Sequence, residues 1–98
     1  MPPEETLSRR VIIEGFVQGV GYRYFAFHAA RRLNLSGWVR NRANGTVEAL
    51  ISGPPQAIEA MLAELRRGPP GARVRSVVPA EAVGAEWTTG TFEIRPSA

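Results

Sequence analysis

The sequence predicts an α+β fold, one antiparallel sheet with two helices packed on one face, and three observations lead there. β-Branched apolar runs of strand length alternate with two segments of helical period. Glycine, proline and asparagine stand at the junctions between them. The strand-like and helix-like segments fall in the order β-α-β-β-α-β, in two halves of similar plan.

Residues 1–7 are polar and carry two prolines, so they are expected to form a flexible tail before a single domain over 8–98. "RRVIIEGF", Arg9 to Phe16, is β-branched and apolar enough for a strand. After a glycine-rich loop, "RYFAFHAARRL" puts Tyr22, Phe25, Ala26, Ala29, Ala30 and Leu33 on one helical face and turns Arg31 and Arg32 toward water. Asn34 stands where a left-handed residue should close that helix. "SGWVRNRANGTVEALISG" reads as two strands joined at Asn44-Gly45, expected to be a type I′ turn with positive φ at both residues. Gly53-Pro54-Pro55 punctuates the chain. In "QAIEAMLAELRR", Ile58, Met61, Leu62 and Leu65 then form an apolar stripe, and proline in the first turn is tolerated. "GPPGA" ends the helix. "RVRSVVPAEAV" reads as a strand broken by Pro79, and "TFEIR" as a short last strand with Phe92 and Ile94 inward. Trp38, Trp87, Phe16 and Phe27 are assigned to packing. The order matches the ferredoxin-like, or split βαβ, arrangement, which hosts many unrelated functions.

The 98 residues suit one domain that buries roughly two-thirds of its unfolded surface. With 44% apolar and 21% charged residues, the composition is that of a soluble globule. The absence of cysteine excludes disulfides, thiol catalysis and thiolate metal sites. No apolar run approaches the ~20 residues of a membrane span, and the start has no secretory-type segment, so a cytoplasmic location is expected. All twelve cations are Arg and all nine anions Glu, with a net charge of +3. That balance favours anionic partners without choosing among them. His28, the only histidine, lies off the apolar face of its helix, and no Ser, His and acid set is visible. No metal site is expected.

The chemistry-bearing stretch is "GFVQGVGYRYF", 15 to 25. A strand running through glycines into a helix presents unpaired N–H groups at the positive end of the helix dipole, an anion site in waiting. Arg23 would add a rigid fork of donors for phosphate oxygens. The plainer reading, a tight turn with a solvated arginine, stays open on this stretch alone. The pattern is neither a Walker A loop, which needs Gly-Lys-Ser/Thr, nor a dinucleotide fingerprint, since the glycines fall at 15, 19 and 21. The second candidate is Asn41 in "GWVRNRANG", whose amide has the donor and acceptor needed to hold a water. Read alone, a polar strand end feeding a turn is the better reading.

"EGFVQGVGYRYF" together with "GWVRNRANGTVEALISG" resembles the acylphosphatases, small enzymes that hydrolyse the mixed anhydride of a carboxylic acid and phosphate. The likeness spans about residues 8 to 95 and includes "GPPGARV". It implies that the loop residues Gln18, Gly19, Val20, Gly21 and Tyr22, with Arg23, form a phosphate cradle. It also implies that Asn41 orients the attacking water, and that the enzyme acts on a small acyl phosphate without metal or cofactor, through direct attack; a monomer is the default expectation for a chain of this size. Two positions depart from the family pattern: Asn34 stands where many members have Gly, and the C-terminal "EIRPSA" lacks their aromatic residue.

Chemistry makes so sparse a site sufficient. The carboxylate leaving group has a pKa of about 4 and departs without a general acid. Phosphoryl transfer is mostly positioning and charge stabilisation. Three rivals remain at this level. One is an RNA-binding sheet, although the strand "RRVIIEGF" lacks the RRM signature. The second is the carbamoyl-phosphate-handling domain of a hydrogenase-maturation protein, which would continue into cysteine-rich zinc modules. The third is a structural or regulatory small-ligand domain in which the loop is vestigial.

Overall fold

The structure, a computed structural model, describes residues 6–80 and 91–98. Within them the chain forms β1 (Leu7–Phe16), α1 (Tyr22–Arg32), β2 (Ser36–Asn41), β3 (Val47–Gly53), α2 (Pro55–Arg67), β4 (Arg73–Ala80) and β5 (Phe92–Ile94). The sheet order is β4-β1-β3-β2-β5. Both helices cover one face, as the ferredoxin-like order predicts.

Period-two alternation decides what enters the core. Val11 and Ile13 of β1, Val39 of β2, and Val47, Ala49 and Ile51 of β3 meet Tyr22, Ala26, Ala29 and Ala30 of α1 and Ile58, Met61 and Leu65 of α2. On the opposite face, β3 turns out Glu48, Leu50 and Ser52, which are buried as well. Helix α1 ends as its sequence suggests, with Asn34 left-handed at φ 57. Pro55 opens α2 in its first turn.

Several details differ from the sequence reading. The sheet is mixed, because β5 pairs in parallel with β2, Gly37 opposite Phe92 and Val39 opposite Ile94. Main-chain bonds carry that pairing onward: the N–H of Arg95 donates to Val39 O at 2.9 Å and that of Ala98 to Asn41 O at 3.0 Å. Such bonds need no aromatic side chain, so the "EIRPSA" ending still docks.

Strand β4 runs through Pro79 to Ala80 instead of breaking, with Pro79 opposite Val11. It can do so because β4 is an edge strand among the described residues, a position in a sheet where proline is tolerated. The β2–β3 turn is not type I′. Gly45 is left-handed at φ 91, but Asn34 is the one described non-glycine residue with positive φ, so Asn44 is not. Ala43, Asn44 and Gly45 form a three-residue loop, with Gly45 N–H donating to Arg42 O at 3.1 Å and Arg42 N–H to Thr46 O at 2.9 Å. Asn44 keeps ordinary φ because its Oδ1 accepts from both the N–H (3.1 Å) and the hydroxyl (2.6 Å) of Thr46.

Phe16 is not a packing residue. It is 60% exposed at the end of β1, past a bulge at Glu14/Gly15, and Val17 takes the core position instead. Trp38 is buried and Phe27 packs partly against the core. Trp87 lies outside the described residues. Of the expected tail, Leu7 belongs to β1, opposite Gly53, and residues 1–5 lie outside the described residues.

Candidate active site

The loop between β1 and α1 is built on alternating backbone handedness. Gly19 and Gly21 have φ of 76 and 78, while Gln18, Val20 and Tyr22 keep negative φ. Alternation of this kind turns successive N–H groups toward one concave side, the geometry of an anion-binding nest. A Cβ at either glycine would meet nothing within 4 Å, so the left-handed backbone and not crowding demands glycine here. Gly21 is the N-cap of α1, with no side-chain cap and no acidic residue in the first turn. Past the loop, the first N–H to find a main-chain acceptor among the described residues is that of Phe25, on Gly21 O at 3.0 Å. The N–H groups of Tyr22, Arg23 and Tyr24 are left as the open donors of a helix start.

Arg23 sits in that first turn, half-buried, with no hydrogen bond or ion pair to any described residue. Tyr22 contributes only its main chain to the loop. Its ring is buried and its hydroxyl donates to Leu65 O at 2.6 Å, and burial pushes the phenol well above its ordinary pKa.

Asn41 ends β2 opposite Val47, on the same face as buried Val39. Its Oδ1 is buried and has no partner among the described residues. A buried acceptor left unpaired costs about 1–3 kcal/mol, and such groups in native structures call for an explanation.

The side chain of Gln18 joins the two parts. Its Nε2 donates to Arg42 O at 2.8 Å and to Thr46 O at 2.9 Å, so both amide protons are spent on the hairpin that begins right after Asn41. Gln18 therefore offers an anion its main-chain N–H and not its side chain. This contact was absent from the sequence reading. A glutamine inside a glycine-rich loop is the one hint the sequence carries.

Around the site, Arg42 and Arg73, the latter opposite Phe16 at the loop end of β1, have no carboxylate partner among the described residues. Glu64, by contrast, is taken up by Arg67 and Arg32, and Glu48 by Arg10 and Arg40. Arg42 and Arg73 thus add cationic charge close to the loop. His28 is exposed, outside this group. No three His, Cys, Asp or Glu residues gather among the described residues, and no described helix is long and apolar enough to cross a membrane.

Comparison with known proteins agrees with this arrangement. The acylphosphatase family model matches residues 9–94. An acylphosphatase of Rhodopseudomonas palustris (strain BisB18) is 54% identical over 69 residues, 70% of this chain and 70% of its own. The structure of an acylphosphatase from Coxiella burnetii superposes with a TM-score of 0.82 at 33% identity, over 92% of this chain and 93% of that one. Full-length HypF, in its phosphate- and nucleotide-bound form, matches with a TM-score of 0.84 at 31% identity, over 98% of this chain but 12% of that one. With the family pattern running from the first strand to the last, the chain belongs to the acylphosphatase family.

Proposed function

We propose that the chain hydrolyses the carboxyl–phosphate bond of acyl phosphates to a carboxylate and inorganic phosphate. Arg23 and the N–H groups of Gln18, Gly19, Val20, Gly21 and Tyr22 hold the phosphoryl oxygens. Asn41 orients a water in line with the scissile bond. The water oxygen bonds to phosphorus as the P–O bond to the acyl group breaks, and the carboxylate leaves with the electron pair. The water's proton passes to a phosphoryl oxygen, so neither histidine nor carboxylate is needed. Charge-assisted hydrogen bonds of about 1.5–3 kcal/mol each are the currency of such a site.

The observation that carries this reading is the loop of alternating handedness whose open N–H groups run into α1 beside Arg23, itself without a partner among the described residues, and which the side chain of Gln18 ties to the hairpin that begins after Asn41. On this reading the partner is a small molecule and not nucleic acid or a membrane. Residues 8–98 act as one unit, as a cytoplasmic monomer with no cofactor.

The test is loss of benzoyl phosphate in the presence of EDTA. Wild-type protein turns it over. Arg23→Gln and Asn41→Ala each lose about 100-fold or more, the scale for removing one preorganised group, with circular dichroism unchanged. Activity surviving both substitutions rejects the site assignment. An alkyl phosphate, whose alkoxide leaves poorly without an acid, should not be hydrolysed measurably, and comparable turnover of it would reject the mechanism.

A further inference from the structure

The carbonyls of Arg42 and Thr46 form the neck of the β2–β3 hairpin, one step beyond the Asn41–Val47 pair. Each already accepts a main-chain N–H, from Gly45 and Arg42 respectively. The two Nε2 bonds of Gln18 fill the remaining lone pair on each. One side chain thus closes the neck from outside and ties it to the first residue of the glycine loop, across 24 and 28 positions of sequence.

The main chain of Asn41 is held by its pairing with Val47 and by the N–H of Ala98, which donates to Asn41 O at 3.0 Å. Its buried Oδ1 bonds to no described residue, so its carboxamide takes its direction from that backbone, from the packing around it and from the hairpin neck. The other half of the site, the loop N–H groups, starts at Gln18 itself. Displacement of a catalytic group by about 1 Å can cost on the order of 100-fold in rate. We propose that Gln18 is a positioning residue, whose side chain sets Asn41 at its working distance from the phosphate loop and is not a ligand of phosphate. The inference rests on the role given to Asn41 above.

Gln18→Met keeps the length of the side chain and removes both donors. The expected result with benzoyl phosphate is a fall in kcat of roughly 10- to 100-fold. KM and the inhibition constant of inorganic phosphate stay within about 3-fold, because Arg23 and the main-chain N–H groups are untouched. In an Asn41→Ala background the same substitution changes kcat by less than about 2-fold, since nothing remains to be positioned.

Gln18→Glu adds a signature that mere loosening would not produce. Its carboxylate faces two carbonyl oxygens at neutral pH. Once protonated it regains one O–H donor, so its kcat recovers relative to wild type as pH falls through the carboxyl range. The Met variant keeps the wild-type pH profile.

Three results overturn the inference alone: an unchanged kcat in Gln18→Met, a phosphate inhibition constant that rises with KM, or a full loss repeated in the Asn41→Ala background. Wild-type activity in Asn41→Ala rejects the role of Asn41 and the inference with it.

Discussion

Glu48 remains ionised on a nearly closed face of the sheet because two arginines meet it there. Arg10 Nε donates to one carboxylate oxygen at 2.6 Å and Arg40 Nε to the other at 2.7 Å, and the side chain is 2% exposed. Burial alone would push its pKa up. The hydrogen bonds and charges of Arg40 and Arg10 outweigh that and hold it below the usual glutamate range. Because the folded value is depressed, the stabilisation is fully present above the unfolded value of about 4.3 and is lost as pH falls through the folded one. Urea unfolding of Glu48→Gln should show a loss of about 1.5–3 kcal/mol at neutral pH. The loss is no larger because the arginines stay 24% and 32% exposed and keep some water. The difference from wild type should shrink as the medium is acidified. A difference that stays constant with pH would remove Glu48 as the source of acid sensitivity.

At the scale of elements, the start of α1 is held by the end of α2. Tyr22 opens α1 and its hydroxyl reaches Leu65 O, two residues before α2 ends, while Arg67 lies over the ring of Phe25 at 5.5 Å. The helix whose N-terminus faces the loop is therefore anchored by its neighbour. Tyr22→Phe should lower stability by about 1 kcal/mol in chemical denaturation. It should leave kcat for benzoyl phosphate within about 3-fold, since Tyr22 serves the site by its main chain. A loss of activity beyond 100-fold at unchanged stability would instead place the phenol in the chemistry. The element boundaries themselves were largely legible. The apolar stripe of α2 and the cap at Asn34 are local signals, and both stand in the structure. Pro79, the Asn44-Gly45 turn and the direction of β5 were not legible. Each depends on tertiary placement: β4 at the edge of the sheet among the described residues, the bonds from Thr46 to Asn44, and the parallel pairing of β5 with β2.

For the whole molecule, the fold class followed from order and period, and the loop from Gln18 to Arg23 was readable because its residues are contiguous. Asn41 was readable as a residue type and, through resemblance, as a role. Its buried oxygen, without a partner among the described residues, was not, because burial is a property of what packs around a side chain. The bonds of Gln18 were hidden for the same reason. By itself the sequence determined which segments become strands and helices, where glycine permits left-handed backbone, and that Arg23 stands in the first turn of a helix. Those outcomes depend on torsional preference and hydrophobic period within about a dozen residues. Only the tertiary structure decided that β3 lies between β1 and β2, that the hairpin neck meets the loop, and that Gln18 spends its amide on two carbonyls beside Asn41. Those outcomes depend on which surfaces bury one another, and burial fixes strand register across the sheet.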